Sequence, residues 1–298
     1  LLLNYNIKNK SIYNMNKLHV VTVGTSKDGY YNILVDSGSR VGVKIINIGL
    51  GKEWTGLTMK YTLLKKYLNN LRDDDIVLFL DAYDVFLVEN EQTILNKFYK
   101  FNKPIVFGNQ NGLLTNLSMI TCNKNNLNTG SYIGYVKYLK ILLNILDKPK
   151  IYKKFGNDDQ LVLNHICKNN KFFDKYTGVD IKQDIFYITN IDTVISLDYW
   201  MNGSIGLRTE SGRLLKQDSR QPSIVHLAAN VCGKKYVKYL NYDVNKIASI
   251  DVHFKVSQVK VYISLFFRKY WVHLLTIVIL IILLKRNIGA ISRSLRYT

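Results

Sequence analysis

The sequence predicts an α/β fold built on a mostly parallel sheet. Short apolar runs, typical of buried strands, alternate with segments whose apolar residues recur at helical spacing. Residues 18–23, residues 43–48 and Ile76–Leu80 are three such runs. The last contains no polar residue, as expected for a strand buried on both faces of a parallel sheet. Alternating strands and helices of this kind indicate a single sheet covered by helices.

The predicted elements follow one another without a Pro- or Gly-rich linker. After the first strand come a strand over residues 43–48, a helix over residues 57–71, the strand Ile76–Leu80, a strand over residues 104–107, and helices over residues 135–146 and 160–167. Residues 128–131 are small and polar, and predict a loop that lets the backbone approach a ligand closely. Because ligands bind at the carboxyl ends of parallel strands, residues 22–25 and 81–84 are expected on the same rim.

The chain is strongly basic, with a formal net charge of +19 over 298 residues. Lysines are scattered through a chain rich in Asn and Ile, and no zinc-finger, helix-turn-helix or RNA-binding pattern occurs. Two interpretations remain: the charge reflects general composition, or it provides a positive field suited to a diphosphate substrate. We expect no nucleic-acid partner.

Three cysteines, an odd number without a CxxC pair, predict neither a disulfide framework nor a thiolate metal cluster. The redox compartment stays open at this point.

The C-terminal end differs in character from the rest. Residues 274–284 are apolar, aromatic and basic residues precede them, and basic residues follow. The apolar run is shorter than the roughly 20 residues that span a bilayer, but snorkelling of Arg268 and Lys269 extends it. We interpret residues 262–298 as a transmembrane anchor with a basic tail, the alternative being a buried core helix. The expected location is an endomembrane, with a single C-terminal span.

Four parts are therefore expected along the chain. Residues 1–17 form an N-terminal extension, residues 18–243 the catalytic domain, residues 244–261 a linker and residues 262–298 the anchor.

The chemistry centres on two aspartates in a D-x-x-D motif. Asp81 and Asp84 follow a buried strand directly, and apolar residues continue the chain after them. Two carboxylates three residues apart at a strand end can bind one Mn²⁺ or Mg²⁺ and leave positions open for substrate oxygens. The alternative is that both merely cap a turn.

Other polar residues have two interpretations each. His226 follows a short apolar segment and is either a third metal ligand or a structural histidine. Asp158 and Asp159 open a helical segment, so they either cap it or face the reacting sugar and acceptor.

The order of these pieces resembles the N-terminal glycosyltransferase domain of the procollagen lysyl hydroxylase/glycosyltransferase (PLOD) family, over residues 18–242. The motifs are VVTVGT at residues 20–25, GLGKEW at residues 49–54, DAYD at residues 81–84, LNTGSYIGY at residues 127–135, DDQL at residues 158–161 and a Val-His pair ending at His226. Two departures are that the family's Gly-rich loop is replaced at residues 56–59, and that residues 108–116 are short where the family has an acceptor-side loop.

The resemblance implies a GT-A (Rossmann-like) fold and a role for each matched residue. It implies Asp81, Asp84 and His226 as ligands of Mn²⁺ or Mg²⁺, Tyr83 as the stacking partner of uracil, Thr25, Lys60, Asn230 and Lys235 as contacts of the nucleotide, phosphates or sugar, and Asp158 and Asp159 as catalytic carboxylates.

The resulting hypothesis is transfer of glucose or galactose from UDP-glucose or UDP-galactose to a hydroxyl acceptor, with hydroxylysine of a collagen-like protein as the candidate. One alternative is a GT-A transferase for a glycan or lipid acceptor at the membrane. The other is an inactive, membrane-tethered binding protein with the same fold.

Overall fold

The computed structural model of the protein describes residues 16–229 and 231–248. The strands are β1 (Leu18–Thr22), β2 (Ile45–Asn47), β3 (Ile76–Leu80), β4 (Val85–Leu87), β5 (Ile105–Asn109), β6 (Leu127–Tyr135), β7 (Thr177–Asp180), β8 (Phe186–Ile188), β9 (Arg208–Glu210), β10 (Arg213–Leu215) and β11 (Ile224–His226). The α-helices are α1 (Tyr31–Arg40), α2 (Thr58–Leu68), α3 (Glu91–Tyr99), α4 (Leu113–Ser118), α5 (Val136–Leu146), α6 (Pro149–Lys154), α7 (Asp159–Cys167), α8 (Lys171–Tyr176), α9 (Ile191–Ile195), α10 (Leu197–Asn202) and α11 (Lys234–Tyr239). A 3₁₀ turn over Val244–Lys246 follows.

A six-stranded sheet forms the centre of the fold, in the order β2-β1-β3-β6-β5-β7. β1 pairs in parallel with β2 and β3, and β5 pairs in parallel with β7. Of these six strands, only β6 runs against its neighbours, β3 and β5. The predicted α/β fold with a mostly parallel sheet is confirmed, with one antiparallel strand near its middle.

Helices cover both faces of this sheet because successive strand residues point to opposite sides. On one side Leu78 packs in a core that includes Leu34 of α1. On the other, Phe79 packs in a core that includes Leu64 of α2 and Leu143 of α5. Burial on both faces explains why β3 reads as an uninterrupted apolar run in the sequence.

The element boundaries follow the prediction closely at the buried strands and less well elsewhere. β3 has the predicted bounds, whereas the strand predicted over residues 43–48 is limited to Ile45–Asn47, at the edge of the sheet. The loop predicted over residues 128–131 is wrong, because these residues lie inside β6. Main-chain pairing with β3 opposes Ser131 to Leu80, and this pairing outweighs the local preference of small polar residues for loops.

A smaller sheet brings distant parts of the chain to the same edge. Its order is β4-β11-β8, with β11 antiparallel to β4 and parallel to β8. The register sets His226 opposite Val85, the residue after Asp84. This sheet therefore carries His226 to the end of β3.

One disulfide joins Cys122 to Cys167, with the Cα atoms 5.6 Å apart. It links the segment before β6 to the last residue of α7. The sequence-based expectation of no disulfide framework thus missed this bond, since two cysteines 45 residues apart give no local sign of proximity. Cys232 is an exposed free thiol.

Within residues 16–229 and 231–248, no helix has both the length and the apolar character needed to cross a membrane. The predicted anchor over residues 262–298 lies outside the described residues, and so does most of the predicted N-terminal extension. Both stay predictions, as does the division into four parts.

Candidate active site

Asp81, Asp84 and His226 form one cluster at the edge of the sheet. Asp81 follows β3, Asp84 precedes β4, and His226 ends β11. One potential ligand atom from each side chain lies within 4.8 Å of those of the other two. The sequence prediction that these three residues act together is consistent with this geometry, although His226 lies 142 positions beyond Asp84.

Both ring nitrogens of His226 have a partner. Nε2 lies 3.3 Å from Asp84 Oδ2, and Nδ1 lies 2.9 Å from the hydroxyl oxygen of Ser131. The ring itself is buried. A partner on the nitrogen that does not face a metal fixes the orientation of a histidine ligand. Ser131 was missed as a functional residue by the sequence analysis, and its place in the LNTGSYIGY motif was the available signal.

The two charged groups of this pair shift each other's pKa. Burial acts to lower the pKa of His226, but attraction to the Asp84 carboxylate outweighs burial, and the pKa is raised. Burial likewise acts to raise the pKa of Asp84, but His226 lowers it overall. Without a metal, His226 and Asp84 are therefore held as an imidazolium and a carboxylate. A bound cation would compete with a proton for the imidazole nitrogen that faces Asp84.

Two observations fit a divalent cation at the cluster. Asp84 Oδ1 is buried without a hydrogen-bond partner among the described residues, which leaves an unused acceptor beside the other ligand atoms. Gly130 in β6 faces the cluster, and a Cβ at this position would lie 2.7 Å from His226 Cε1 and closer still to the Asp81 carboxylate. The missing side chain keeps space open next to the ligand atoms.

Lys60 is a buried cation beside this cluster. Its Nζ lies 3.1 Å from Asp81 Oδ1 and 2.9 Å from Asp159 Oδ2, and the residue is only 5% exposed. Burial acts to lower the pKa of Lys60, but Asp159 and Asp81 outweigh it and raise the pKa. Lys60 therefore carries a positive charge that connects a predicted metal ligand to a predicted catalytic carboxylate.

Asp158 and Asp159 differ in their surroundings. Asp158 is the N-cap of α7, and its Oδ1 accepts a hydrogen bond of 2.8 Å from the Leu161 amide. Asp159 occupies the first turn and forms the ion pair with Lys60. The capping interpretation thus holds for Asp158, while both carboxyl groups also line the cavity that contains the cluster.

Two cavities meet at the cluster. One, of about 490 Å³, is lined by Asp158, Asp159 and His226 and will be called the reaction cavity. The other, of about 430 Å³, is lined by Trp54 and Tyr83 and will be called the aromatic cavity. The residues that line both are Leu57, Lys60, Asp81 and Asp84. Charged groups that could hold a diphosphate therefore stand at the junction of the two spaces.

A network of side-chain amides lines the reaction cavity. Asn128 Nδ2 donates to Gln110 Oε1 and to Gln160 Oε1, each at 3.1 Å. Gln160 Nε2 donates in turn to Gln110 Oε1 at 2.8 Å. Such amides are fixed by one another and offer further donors and acceptors to a polar ligand.

Tyr83 is tied to the loop that follows β1. Its hydroxyl oxygen accepts hydrogen bonds from the Thr25 amide at 2.8 Å and from the Ser26 amide at 3.2 Å. Burial acts to raise the pKa of Tyr83, but the hydrogen bonds from Ser26 and Thr25 outweigh it and the pKa is lowered. The predicted pair of nucleotide-binding residues, Thr25 and Tyr83, is thus in direct contact. Trp54, a further aromatic residue of the cavity, was not among the predicted site residues.

The remaining predicted residues are placed differently. Lys235 lies outside both cavities, where its Nζ donates to the Asn202 carbonyl at 3.0 Å. The adjacent Lys234 lines the aromatic cavity instead. Asn230 lies outside the described residues.

A larger cavity, of about 630 Å³, lies elsewhere on the molecule and is lined by residues such as Lys100 and Arg213. It contains ion pairs between Lys97 and Glu89 and between Arg220 and Asp184. We place the active site at the smaller pair of cavities because the carboxylate and histidine cluster lies there.

The mostly parallel α/β sheet with a carboxylate and histidine cluster at its edge agrees with the glycosyltransferase domain to which the family match assigns the chain. The chain belongs to the PLOD GT domain family, whose model matches residues 14–250. It is 27% identical over 220 residues to procollagen-lysine,2-oxoglutarate 5-dioxygenase 2 of Mus musculus, covering 66% of this chain and 27% of the relative. It is also 27% identical over 201 residues to the human multifunctional procollagen lysine hydroxylase and glycosyltransferase LH3, covering 61% of this chain and 27% of the relative.

This chain thus spans about a quarter of the length of these two relatives. Among solved structures, the galactosyltransferase LgtC, solved in complex with donor and acceptor sugar analogs, is 10% identical. That match has a TM-score of 0.43 and covers 80% of this chain and 99% of LgtC.

Proposed function

We propose that this chain transfers glucose or galactose from a UDP-sugar to a hydroxyl group, with Mn²⁺ or Mg²⁺ held by Asp81, Asp84 and His226. The observation that carries the proposal is that the three side chains cluster where the two cavities meet, with Asp81 and Asp84 lining both cavities and His226 lining the reaction cavity. A donor whose diphosphate lies at that junction would have its base in the aromatic cavity and its sugar in the reaction cavity.

The donor half of the site would work through fixed charge and aromatic surface. Trp54 and Tyr83 supply rings for the uracil base. Lys60 supplies a positive charge for the diphosphate through charge-assisted hydrogen bonds. When bound, a divalent cation would neutralise the charge that develops on UDP as it leaves.

The reaction cavity would hold the transferred sugar, and a carboxylate there would receive the proton of the acceptor hydroxyl. Asn128, Gln110 and Gln160 provide donors and acceptors for sugar hydroxyl groups. In the proposed step, the acceptor oxygen bonds to the anomeric carbon, the bond from that carbon to UDP breaks, and the electron pair leaves with UDP. The hydroxyl proton passes to a carboxylate, for which Asp158 and Asp159 are the candidates at this cavity.

The donor set favours Mn²⁺ over Mg²⁺, because an imidazole suits transition metals whereas Mg²⁺ prefers oxygen ligands alone. Hydroxylysine of a collagen-like protein is the proposed acceptor, and the motifs shared with the PLOD family support it. We further propose that residues 262–298 anchor the chain in an endomembrane. A glycan or lipid acceptor at the membrane is the second candidate, and Ile191, an exposed apolar residue that lines the reaction cavity, favours it.

UDP release tests the reaction. The purified chain is incubated with Mn²⁺ and a panel of UDP-sugars, with and without a peptide that contains hydroxylysine. We expect UDP release with UDP-glucose or UDP-galactose that increases with the correct acceptor. Absence of release with every donor, hydrolysis included, would refute the proposed activity.

A matched pair of variants tests the metal assignment. Asp84→Asn removes one charge from the cluster and is expected to lower UDP release by about a hundredfold. Asp147→Asn makes the same chemical change at an exposed carboxylate and should leave UDP release unchanged. Equal activity of the two variants would contradict the role given to Asp84.

A further inference from the structure

An exposed apolar surface lies on three short helices, α4, α9 and α10. It consists of Leu113 of α4, Ile191 and Ile195 of α9, and Leu197, Trp200 and Met201 of α10. These are six of the twelve large apolar side chains that are strongly exposed in the described part of the chain. Four of the six are 72–73% exposed, which is unusual for side chains of this size. We call it the apolar surface.

The helices that carry this surface have little burial of their own. Neither α9 nor α10 contains a fully buried residue, and only partly buried side chains such as Val194 and Tyr199 pack against the core. Helices of five and six residues are not stable in isolation. A contact that buries Leu197, Trp200 and Met201 would therefore add stability that the described domain does not supply.

The apolar surface is continuous with the reaction cavity. Ile191 belongs to the surface and also lines that cavity. Asp192, the next residue, accepts a hydrogen bond of 3.0 Å from the Leu114 amide and so joins α9 to α4. Whatever covers the surface therefore lies next to the reaction cavity.

Acidic and basic side chains both lie beside the apolar surface. The carboxylate of Asp192 is occupied by α4, and Asp198 accepts a hydrogen bond of 2.8 Å from Asn202. Lys235 lies next to α10, with its Nζ on the Asn202 carbonyl, and Lys234 is adjacent in sequence. Exposed tryptophan and leucine side chains next to lysines are typical of surfaces that lie at a membrane interface.

The described chain ends at the aromatic cavity, whose lining is joined to α10 by one hydrogen bond. Ile247 lines the aromatic cavity together with Cys232, whose amide donates to the Tyr199 hydroxyl of α10 at 2.9 Å. The apolar residues 274–284 follow after roughly 25 residues, which can span at most ~90 Å. An anchor at those residues would thus hold α10 within reach of the same membrane.

We propose that the apolar surface docks on a lipid bilayer and turns the opening of the reaction cavity toward acceptors carried at that bilayer. The docking itself is independent of the reaction, whereas the statement about acceptors rests on the proposed function. Leu113, Leu197, Trp200 and Met201 enter the interface between headgroups and acyl chains.

Trp200 provides a direct test, because the chain has three tryptophans. Trp54→Phe combined with Trp271→Phe in the full chain leaves Trp200 as the sole tryptophan. The protein is mixed with phosphatidylcholine and phosphatidylserine vesicles, with or without brominated acyl chains. We expect the brominated lipid to reduce Trp200 emission about twofold or more, because the indole lies at acyl-chain depth.

Unchanged emission would overturn the proposal, whether the surface faces water or protein. A blue shift that depends on protein concentration without quenching would assign the surface to a second copy of the chain, and it also overturns the proposal. Vesicle flotation alone is not the readout, since residues 262–298 could cause it.

A second readout tests the orientation of the cavity. Leu197→Ser combined with Met201→Ser should lower transfer to a vesicle-borne acceptor about tenfold and leave UDP hydrolysis in solution unchanged. Ile181→Ser removes a side chain of comparable exposure, 65%, that is not part of the surface and should change neither rate. Equal transfer to the vesicle-borne acceptor by the double variant and by Ile181→Ser would refute the proposed orientation of the cavity. Absence of UDP hydrolysis by the unsubstituted chain would refute the proposed function instead. Trp200 quenching would still decide whether the surface docks on a bilayer.

Discussion

Lys60 pairs with two carboxylates, and its replacement should lower the stability of the protein while it raises the affinity for a metal ion. The change Lys60→Met keeps the length of the side chain but leaves Asp159, 4% exposed, without its ion-pair partner. Loss of one member of a buried ion pair costs about 3–5 kcal/mol. We expect the lower end of this range in the metal-free protein, because the Asp81 side chain is 31% exposed and can be solvated.

The same change should strengthen metal binding. Lys60 Nζ lies 3.1 Å from Asp81 Oδ1, so a fixed positive charge repels any cation that uses this oxygen. We expect the Kd for Mn²⁺ to fall about tenfold, which corresponds to about 1.4 kcal/mol. UDP release should nevertheless decrease about a hundredfold, since the charge proposed to hold the diphosphate is lost.

Thermal unfolding and calorimetric titration with Mn²⁺ measure the two effects. A loss of about 3 kcal/mol lowers the Tm by roughly 6–12 °C in a domain of this size. Lys216→Met is the matched control, because Lys216 is also buried and paired with an aspartate, Asp184, away from the cluster. It should lose less stability, because Asp184 is 27% exposed and keeps Arg220 as a partner, and its Mn²⁺ affinity should not change. Weaker or unchanged Mn²⁺ binding by Lys60→Met would refute the reasoning.

Four further predictions concern the cluster and the aromatic cavity. Ser131→Ala removes the partner of His226 Nδ1 and should weaken Mn²⁺ binding about tenfold relative to the unsubstituted protein. Titration calorimetry on Mg²⁺-free samples of both proteins measures this difference. Gly130→Ala brings a Cβ against the ligands and should abolish Mn²⁺-dependent UDP release, whereas retention of wild-type activity would contradict the close approach seen at this strand. Tyr83→Phe frees two loop amides and should raise the KM for the UDP-sugar more than it lowers kcat. Asp84 raises the pKa of His226, so the metal-free protein should lose stability as pH rises through that raised pKa. Below about pH 6.5 this contribution to stability is fully present. Saturating Mn²⁺ should remove the pH dependence, which thermal melts measure.

The parts of the site that could be predicted from sequence are those that lie close together in the chain. Asp81, Tyr83 and Asp84 follow a strand whose apolar run is unmistakable, so their position at the edge of the sheet follows from local pattern. The segment around His226 leaves a ligand role and a structural role open, and the resemblance to a family is what favours the ligand role.

The contacts that could not be predicted depend on pairing over long distances. Ser131 belongs to a run of small residues that favours a loop, and only its pairing with β3 makes it a strand residue beside the cluster. Lys60 faces Asp159 because α2 and α7 cover the same side of the sheet. Lys235 shows the converse: the match to a family motif did not bring its side chain into either cavity.

The late position of β11 in the chain has a consequence for how the site matures. During synthesis both aspartates emerge well over a hundred residues before His226, and two carboxylates alone bind a divalent cation weakly in water. His226, the proposed third ligand, arrives only when β11 has paired with β4 and β8. The proposed tight cation binding would thus be a property of the completed domain, and the affinity for Mn²⁺ would report whether the last strand of the described residues has paired.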